Sequence, residues 1–134
     1  MPAPRRIAVL AAIASMATLG FSASTHAGVP LPQYATLTIA RGGEHVMPMN
    51  IAVRPGVPVV LNINNYSREY HTFTIRALGV SFLVLPAKGA WARVTTVRFT
   101  PPAVGGSLAW RCAICPSGSH RVRHVMGGTI DVTA

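Results

Sequence analysis

Residues 106–132 read GSLAWRCAICPSGSHRVRHVMGGTIDV. Two apolar runs with strand character bracket a polar loop. The segment holds both cysteines of the chain (Cys112 and Cys115), two of its five histidines (His120 and His124) and one of its methionines, Met126. Soft sulfur and borderline imidazole gathered in one loop form the donor set that copper takes in preference to magnesium or calcium.

Working outward toward the N-terminus, the same short-strand pattern recurs. Residues 91–99 and 80–85 are strand-like runs separated by the turn Pro86-Ala87-Lys88-Gly89. Residues 70–77 (YHTFTIRA) alternate, with His71, Phe73 and Ile75 on one face and Thr72, Thr74 and Arg76 on the other. Residues 57–64 (VPVVLNIN) form a strand that ends in an Asn-Asn-Tyr-Ser loop. Residues 46–53 (VMPMNIAV) read as one strand whose start is demoted to an edge or bulge by Pro48. Residues 35–40 (ATLTIA) alternate, with Leu37 and Ile39 on one face. On the C-terminal side, a strand at 107–112 follows the Pro101-Pro102 and Gly105-Gly106 loop, and Gly127-Gly128 opens the last strand, 129–132. Seven or eight short strands with Gly/Pro turns and no sustained 3.6-residue period predict an all-β chain, an antiparallel Greek-key β-sandwich. Trp91 and Trp110 are expected to anchor its core.

The first 27 residues have a different character. Arg5 and Arg6 precede an apolar run at 7–20, and Thr25-His26-Ala27 fits a cleavage site, so residues 1–27 read as a secretory signal peptide and 28–134 as one domain. The run is shorter than the roughly 20 apolar residues a membrane span needs. Periplasmic or secreted localisation is therefore expected, with a retained anchor as the alternative.

The chain carries twelve Lys and Arg against three acidic residues, Glu44, Glu69 and Asp131, for a formal net charge of +9. That balance favours an acidic partner protein or an anionic membrane surface. The arginines are scattered and do not cluster with aromatics, which argues against nucleic acid. Asp131, the one aspartate, lies in a strand, so no Ser-His-Asp set can be assembled; paired carboxylates and a phosphate-cradling glycine loop are also missing. Hydrolase chemistry has no support.

Four segments occur in an order that resembles the cupredoxin family: VMPMNIAVRPG at 46–56, LNINNYSREYHTFTI at 61–75, GSLAWRC at 106–112 and MGGTIDV at 126–132. The resemblance covers almost all of 28–134. It implies a cupredoxin-type sandwich holding copper between two imidazoles, a thiolate and a weak axial thioether. Carried over residue by residue, it gives His71 and His120 as imidazole ligands, Cys112 as the thiolate and Met126 as the axial ligand.

The chain also departs from the family. Cys112-x7-His120-x5-Met126 is longer than the loop of the small electron carriers and closer to that of copper nitrite reductases. Cys115-x4-His120 is an azurin-like spacing by itself, and His124 competes as second imidazole. Two thiols, two imidazoles and a thioether are also the side chains of the binuclear CuA centre, but that family spaces its cysteines C-x3-C, against C-x2-C here. The everyday reading of Cys112 and Cys115 in an exported chain is a disulfide or redox pair. Thioredoxin-like chemistry, however, needs a βαβ context that the strand pattern lacks. His45, Met47 and Met49 alternate beside Glu44, as either an ordinary edge strand or a surface copper-loading site.

The leading expectation is a copper protein that carries one electron at a time, with one ion bound and two as the alternative. Its partner would be an acidic redox protein or a membrane oxidase or reductase. The competing expectations are a copper carrier that uses Cys112 and Cys115 as a Cu(I)-binding dithiol, and a CuA-like or red-copper centre.

Overall fold

The computed structural model describes residues 28–115, 122 and 124–133. The expected signal peptide and His120 lie outside the described residues. Nine strands are present among the described residues: β1 Gln33–Ile39, β2 Val46–Met47, β3 Asn50–Val53, β4 Val59–Asn65, β5 Tyr70–Ile75, β6 Val80–Val84, β7 Arg93–Phe99, β8 Gly106–Cys115 and β9 His124–Val132. They form two sheets, in the orders β2-β1-β4-β7 and β3-β9-β8-β5-β6.

Alternation drives the packing of these sheets. Val59, Leu61 and Ile63 in β4, and Phe73 and Ile75 in β5, turn inward at period two. The inward faces of both sheets meet in one core, where Ile39, Leu61 and Val97 belong to the same cluster as Ile75, Trp110 and Ile130, each at most 1% exposed. Burying an aliphatic or aromatic side chain of this size contributes roughly 1.5–3 kcal/mol. Trp110 stacks on Phe73 with ring centroids 5.6 Å apart and planes inclined by 29°.

The expected sandwich is present, and its details differ in four ways. First, two pairings are parallel: β1 runs alongside β4 from Gln33↔Val59 to Ile39↔Asn65, and β3 alongside β9 from Asn50↔Thr129 to Val53↔Val132. Alternation determines which face a side chain occupies and carries no information about strand direction.

Second, residues 46–53 are two strands in different sheets. Pro48 has no N–H to give to a ladder, and on either side of it the chain changes sheet. Val46 and Met47 pair with β1, and Asn50–Val53 with β9.

Third, β8 runs on to Cys115 and β9 begins at His124, so Gly127 and Gly128 lie inside a strand. Their role is close approach. A Cβ on Gly128 would overlap the Met49 backbone and press on the Trp110 ring. The Met49 carbonyl accepts hydrogen bonds there from Trp110 Nε1 (3.1 Å) and the Thr129 backbone N–H (3.0 Å).

Fourth, Trp91 is not a core anchor. It is 81% exposed, in a turn where it exchanges backbone hydrogen bonds with Lys88 before β7 begins at Arg93. Trp110 holds the core position as expected, at 1% exposure. No helix among the described residues is long and apolar enough to cross a membrane.

Candidate metal centre

Three adjacent strands of the five-stranded sheet bring together most of the residues singled out in the sequence. The inward face of β5 carries His71 and Phe73, and that of β8 carries Trp110, Cys112 and Ile114. Register aligns His71↔Ile114↔His124 in one row across β5, β8 and β9, and Phe73↔Cys112↔Met126 in the next. His71, Cys112, Met126 and His124 therefore share one face of the sheet. Met126 stands directly beside Cys112, and His71 stands diagonal to it. Between the two buried groups, His71 Nδ1 and Cys112 Sγ are 3.5 Å apart.

Cys115 is placed differently. Three residues on from Cys112 in an unbroken strand, it faces the other side of the sheet, with its Sγ 3.6 Å from Thr72 Oγ1. Both cysteines are free thiols. His124 is exposed at the end of its row. Among the described residues no three His, Cys, Asp or Glu side chains converge on one point. The donors that do meet are thus one imidazole and one thiol, with a thioether beside the thiol.

A polar network holds the imidazole from behind. Asn65, Ser67 and His71, each fully buried, are the buried polar side chains among the described residues, and they are linked to one another. Asn65 Nδ2 donates to the carbonyls of Glu69 and Leu85, both at 3.0 Å, which fixes the orientation of the amide. Its Oδ1 can then only accept, and it takes the Ser67 backbone N–H at 2.9 Å and the Ser67 hydroxyl at 2.8 Å. With that proton given to Asn65 Oδ1, the shortest of its contacts, Ser67 Oγ accepts from His71 Nε2–H at 2.9 Å. The tautomer follows from this chain of donors: the proton is on Nε2 and the Nδ1 lone pair points toward Cys112. Gly43, with φ +76°, closes over the same spot, where a Cβ would lie 3.6 Å from His71 Nε2.

Burial sets the protonation states. It lowers the His71 pKa to about 4, with Glu69 acting weakly the other way, so the ring is neutral at ordinary pH. Burial also pushes the Cys112 thiol up to about 12, with the charge of Cys115 adding to the rise. Without metal, Cys112 is a thiol that donates to His71 Nδ1. A neutral imidazole with its lone pair presented, a buried sulfur in contact with it and a neighbouring thioether fit a soft or borderline metal such as copper. Fixing a ligand imidazole through its far nitrogen is the usual way such a site is oriented.

Asn65 and Ser67 were not singled out in the sequence, although a signal for one exists. Asn65 continues the inward register of Val59, Leu61 and Ile63, so it is a polar residue at a core position.

A histidine on β5, a cysteine on β8 and a methionine on β9 thus share one face of the five-stranded sheet. The fold is a two-sheet β-sandwich. No family model matches the chain, and no curated protein does. Among solved structures, the chain is similar to auracyanin A, a blue copper protein from the green thermophilic photosynthetic bacterium Chloroflexus aurantiacus. The identity is 16%, over 76% of this chain and 99% of that one, with a TM-score of 0.48. It is also similar to auracyanin from Roseiflexus castenholzii (15% identity, 75% and 97% coverage, TM-score 0.47) and to auracyanin B (15% identity, 78% and 91% coverage, TM-score 0.44).

Proposed function

We propose that the protein is an exported copper-binding electron carrier with a mononuclear site built on His71, Cys112 and Met126. The observation that carries this reading is the 3.5 Å contact between His71 Nδ1 and Cys112 Sγ, with Met126 in register beside the sulfur. Bound copper would supply a one-electron couple. The chain's own contribution is rigidity: strands β5, β8 and β9 hold the donors, and the Asn65–Ser67 pair fixes the ring. A second imidazole completes the set, from His120 as the family resemblance implies or from His124, which stands on the same face. The start of the chain supports export to the periplasm or beyond. Residues 28–134 keep ten Lys and Arg against three acidic residues, a formal charge of +7 that supports an acidic redox partner.

The placement of Cys115 weighs against the two competing readings. A Cu(I) dithiol carrier and a CuA-like bridge each need both sulfurs on one ion or pair of ions, and here they face opposite sides of a sheet.

The test is to purify the protein reduced, add Cu(II), and record the visible spectrum together with copper per chain. An intense thiolate-to-copper band at one copper supports the mononuclear reading. A purple centre at two coppers overturns it in favour of the bridged one, and an uncolored protein overturns the electron-carrier reading.

A further inference from the structure

A pocket of about 300 Å³ adjoins the candidate metal centre, with Met126 in its wall. His45 and Met49 line it from the segment that joins the two sheets, and His124 and Met126 line it from β9; Glu44 and Trp110 also contribute. The pocket therefore offers two imidazoles and two thioethers. His45, Met49 and His124 are exposed, whereas Met126 is partly buried and packs against the core. Met47, the third member of the His45/Met47/Met49 alternation, is 69% exposed and is not part of the pocket wall.

Met49 is held at the pocket by its backbone. Its carbonyl takes two hydrogen bonds, from Trp110 and Thr129, and the bare Cα of Gly128 admits it against β9. Its side chain stays in solvent, at 59% exposure. An exposed thioether on a fixed backbone, in a pocket that a second thioether and two imidazoles also line, has little to recommend it as packing. As a set of donors it selects Cu(I), because thioethers bind soft ions and contribute almost nothing to zinc, magnesium or calcium. Glu44 is a further donor on the wall, but among the described residues it does not join His45 and His124 in a three-membered group that could hold a metal.

We propose that this pocket acquires Cu(I) and passes it inward through Met126 to the His71–Cys112 pair; the inference rests on the copper reading above. Met126 belongs to both places, lining the pocket and standing in register with Cys112. The transfer is a ligand exchange with no change of oxidation state. Cu(I) leaves the exposed donors, the Cys112 S–H proton departs to water, and the thiolate takes the metal, so charge and protons balance. The pocket solves a problem that burial creates: Cys112 and His71 are 1% and 0% exposed and cannot meet a metal donor directly.

The experiment uses Cu(I) alone, buffered by a chromophoric chelator, on the reduced metal-free protein. A Cys112→Ser variant removes the inner thiolate and isolates the pocket. It is expected to retain one Cu(I) and to show shifted methyl resonances for Met49 and Met126 while Met47 stays in place. Adding His45→Gln and Met49→Leu should weaken that binding roughly tenfold or more. In the otherwise unaltered chain the same pair should slow the appearance of the thiolate band on oxidation, leaving its final position and intensity unchanged. If the coloured centre forms at the normal rate in the double variant, or if Cys112→Ser binds no Cu(I), the acquisition site is overturned and the inner copper site stands. If the unaltered protein takes up no copper, both fail together.

Discussion

Cys112 and Cys115 lie on one continuous strand with their sulfurs on opposite faces of the sheet, the first against His71 and the second against Thr72. Replacing Cys115 by serine should therefore leave the thiolate-to-copper band and its one-copper stoichiometry in place, at a stability cost of about 0.5 kcal/mol, as for a half-buried position outside the core. Cys112→Ser should abolish the band. Loss of the band in Cys115→Ser with Cys112 intact would reverse the assignment; absorption spectra with copper quantitation decide it.

Among the described residues, Ser67 is the hydrogen-bond acceptor for His71 Nε2–H. Ser67→Ala strands that buried donor, and urea unfolding of the metal-free protein should show a loss of about 1–3 kcal/mol. The ring proton offers a second readout. In the parent protein a slowly exchanging Nε2–H should be visible by nitrogen-resolved NMR, and in the variant it should broaden or vanish. A slow Nδ1–H instead would mean that the tautomer is the reverse one.

The two buried titratable groups give the metal-free protein a bounded range of stability. His71 is depressed from 6.5 to about 4, so the unfolded chain binds a proton that the folded one refuses. Stability is complete above pH 6.5 and falls as the pH drops toward 4, by on the order of 3 kcal/mol from this group. Cys112 is raised from 9.0 to about 12, so stability is complete below pH 9 and falls as the pH rises toward 12. Denaturation curves between pH 4.5 and 10 should plateau from about 6.5 to 9 and decline on both sides. Stability that is level or increasing from pH 7 to pH 5 would contradict this, as would an NMR titration showing His71 protonated by pH 6.

Gly128 has no room for a methyl group, because the Met49 backbone and the Trp110 ring occupy it. Gly128→Ala should cost about 2 kcal/mol or more, as overpacking at a rigid contact does. It should also alter the near-ultraviolet circular dichroism of Trp110. A variant as stable as the parent would show that β3 can move away from β9 freely.

Electron transfer to an acidic partner should slow as ionic strength rises, since the formal charge of +7 on residues 28–134, ten basic against three acidic, is screened over about 10 Å at 0.1 M salt. Stopped-flow reduction at several salt concentrations measures this, and a rate independent of salt removes the electrostatic partner.

Much of this architecture is written in the alternation of the chain. The alternation of residues 70–77 puts His71, Phe73 and Ile75 on one face, and in β5 all three are buried on that face. What alternation does not carry is direction, so the parallel pairs β1–β4 and β3–β9 had no signal to be read from. Glycine was also ambiguous. Gly127 and Gly128 read as the opening of the last strand, and the strand that contains them uses the missing side chains to admit a neighbouring backbone. The donor residues were legible because their chemistry is rare in so short a stretch. The network behind them was not, because Asn65 and Ser67 look like any polar loop until the register of β4 shows that it points inward.

The hydrogen bond from Thr129 to Asn50 spans 79 positions of sequence, and the parallel β3–β9 ladder joins equally remote segments. Closing a loop of that length carries an entropic cost before any contact repays it, and folds dominated by such pairings mature in milliseconds to seconds. The consequence is an order of assembly. While the chain is being delivered from its N-terminus, β3 has no sheet to join, and its row of open amides waits for the last strand to arrive. The strand that completes the sheet is also the one that brings Met126 alongside Cys112, so closure of the fold and alignment of these two side chains are a single event.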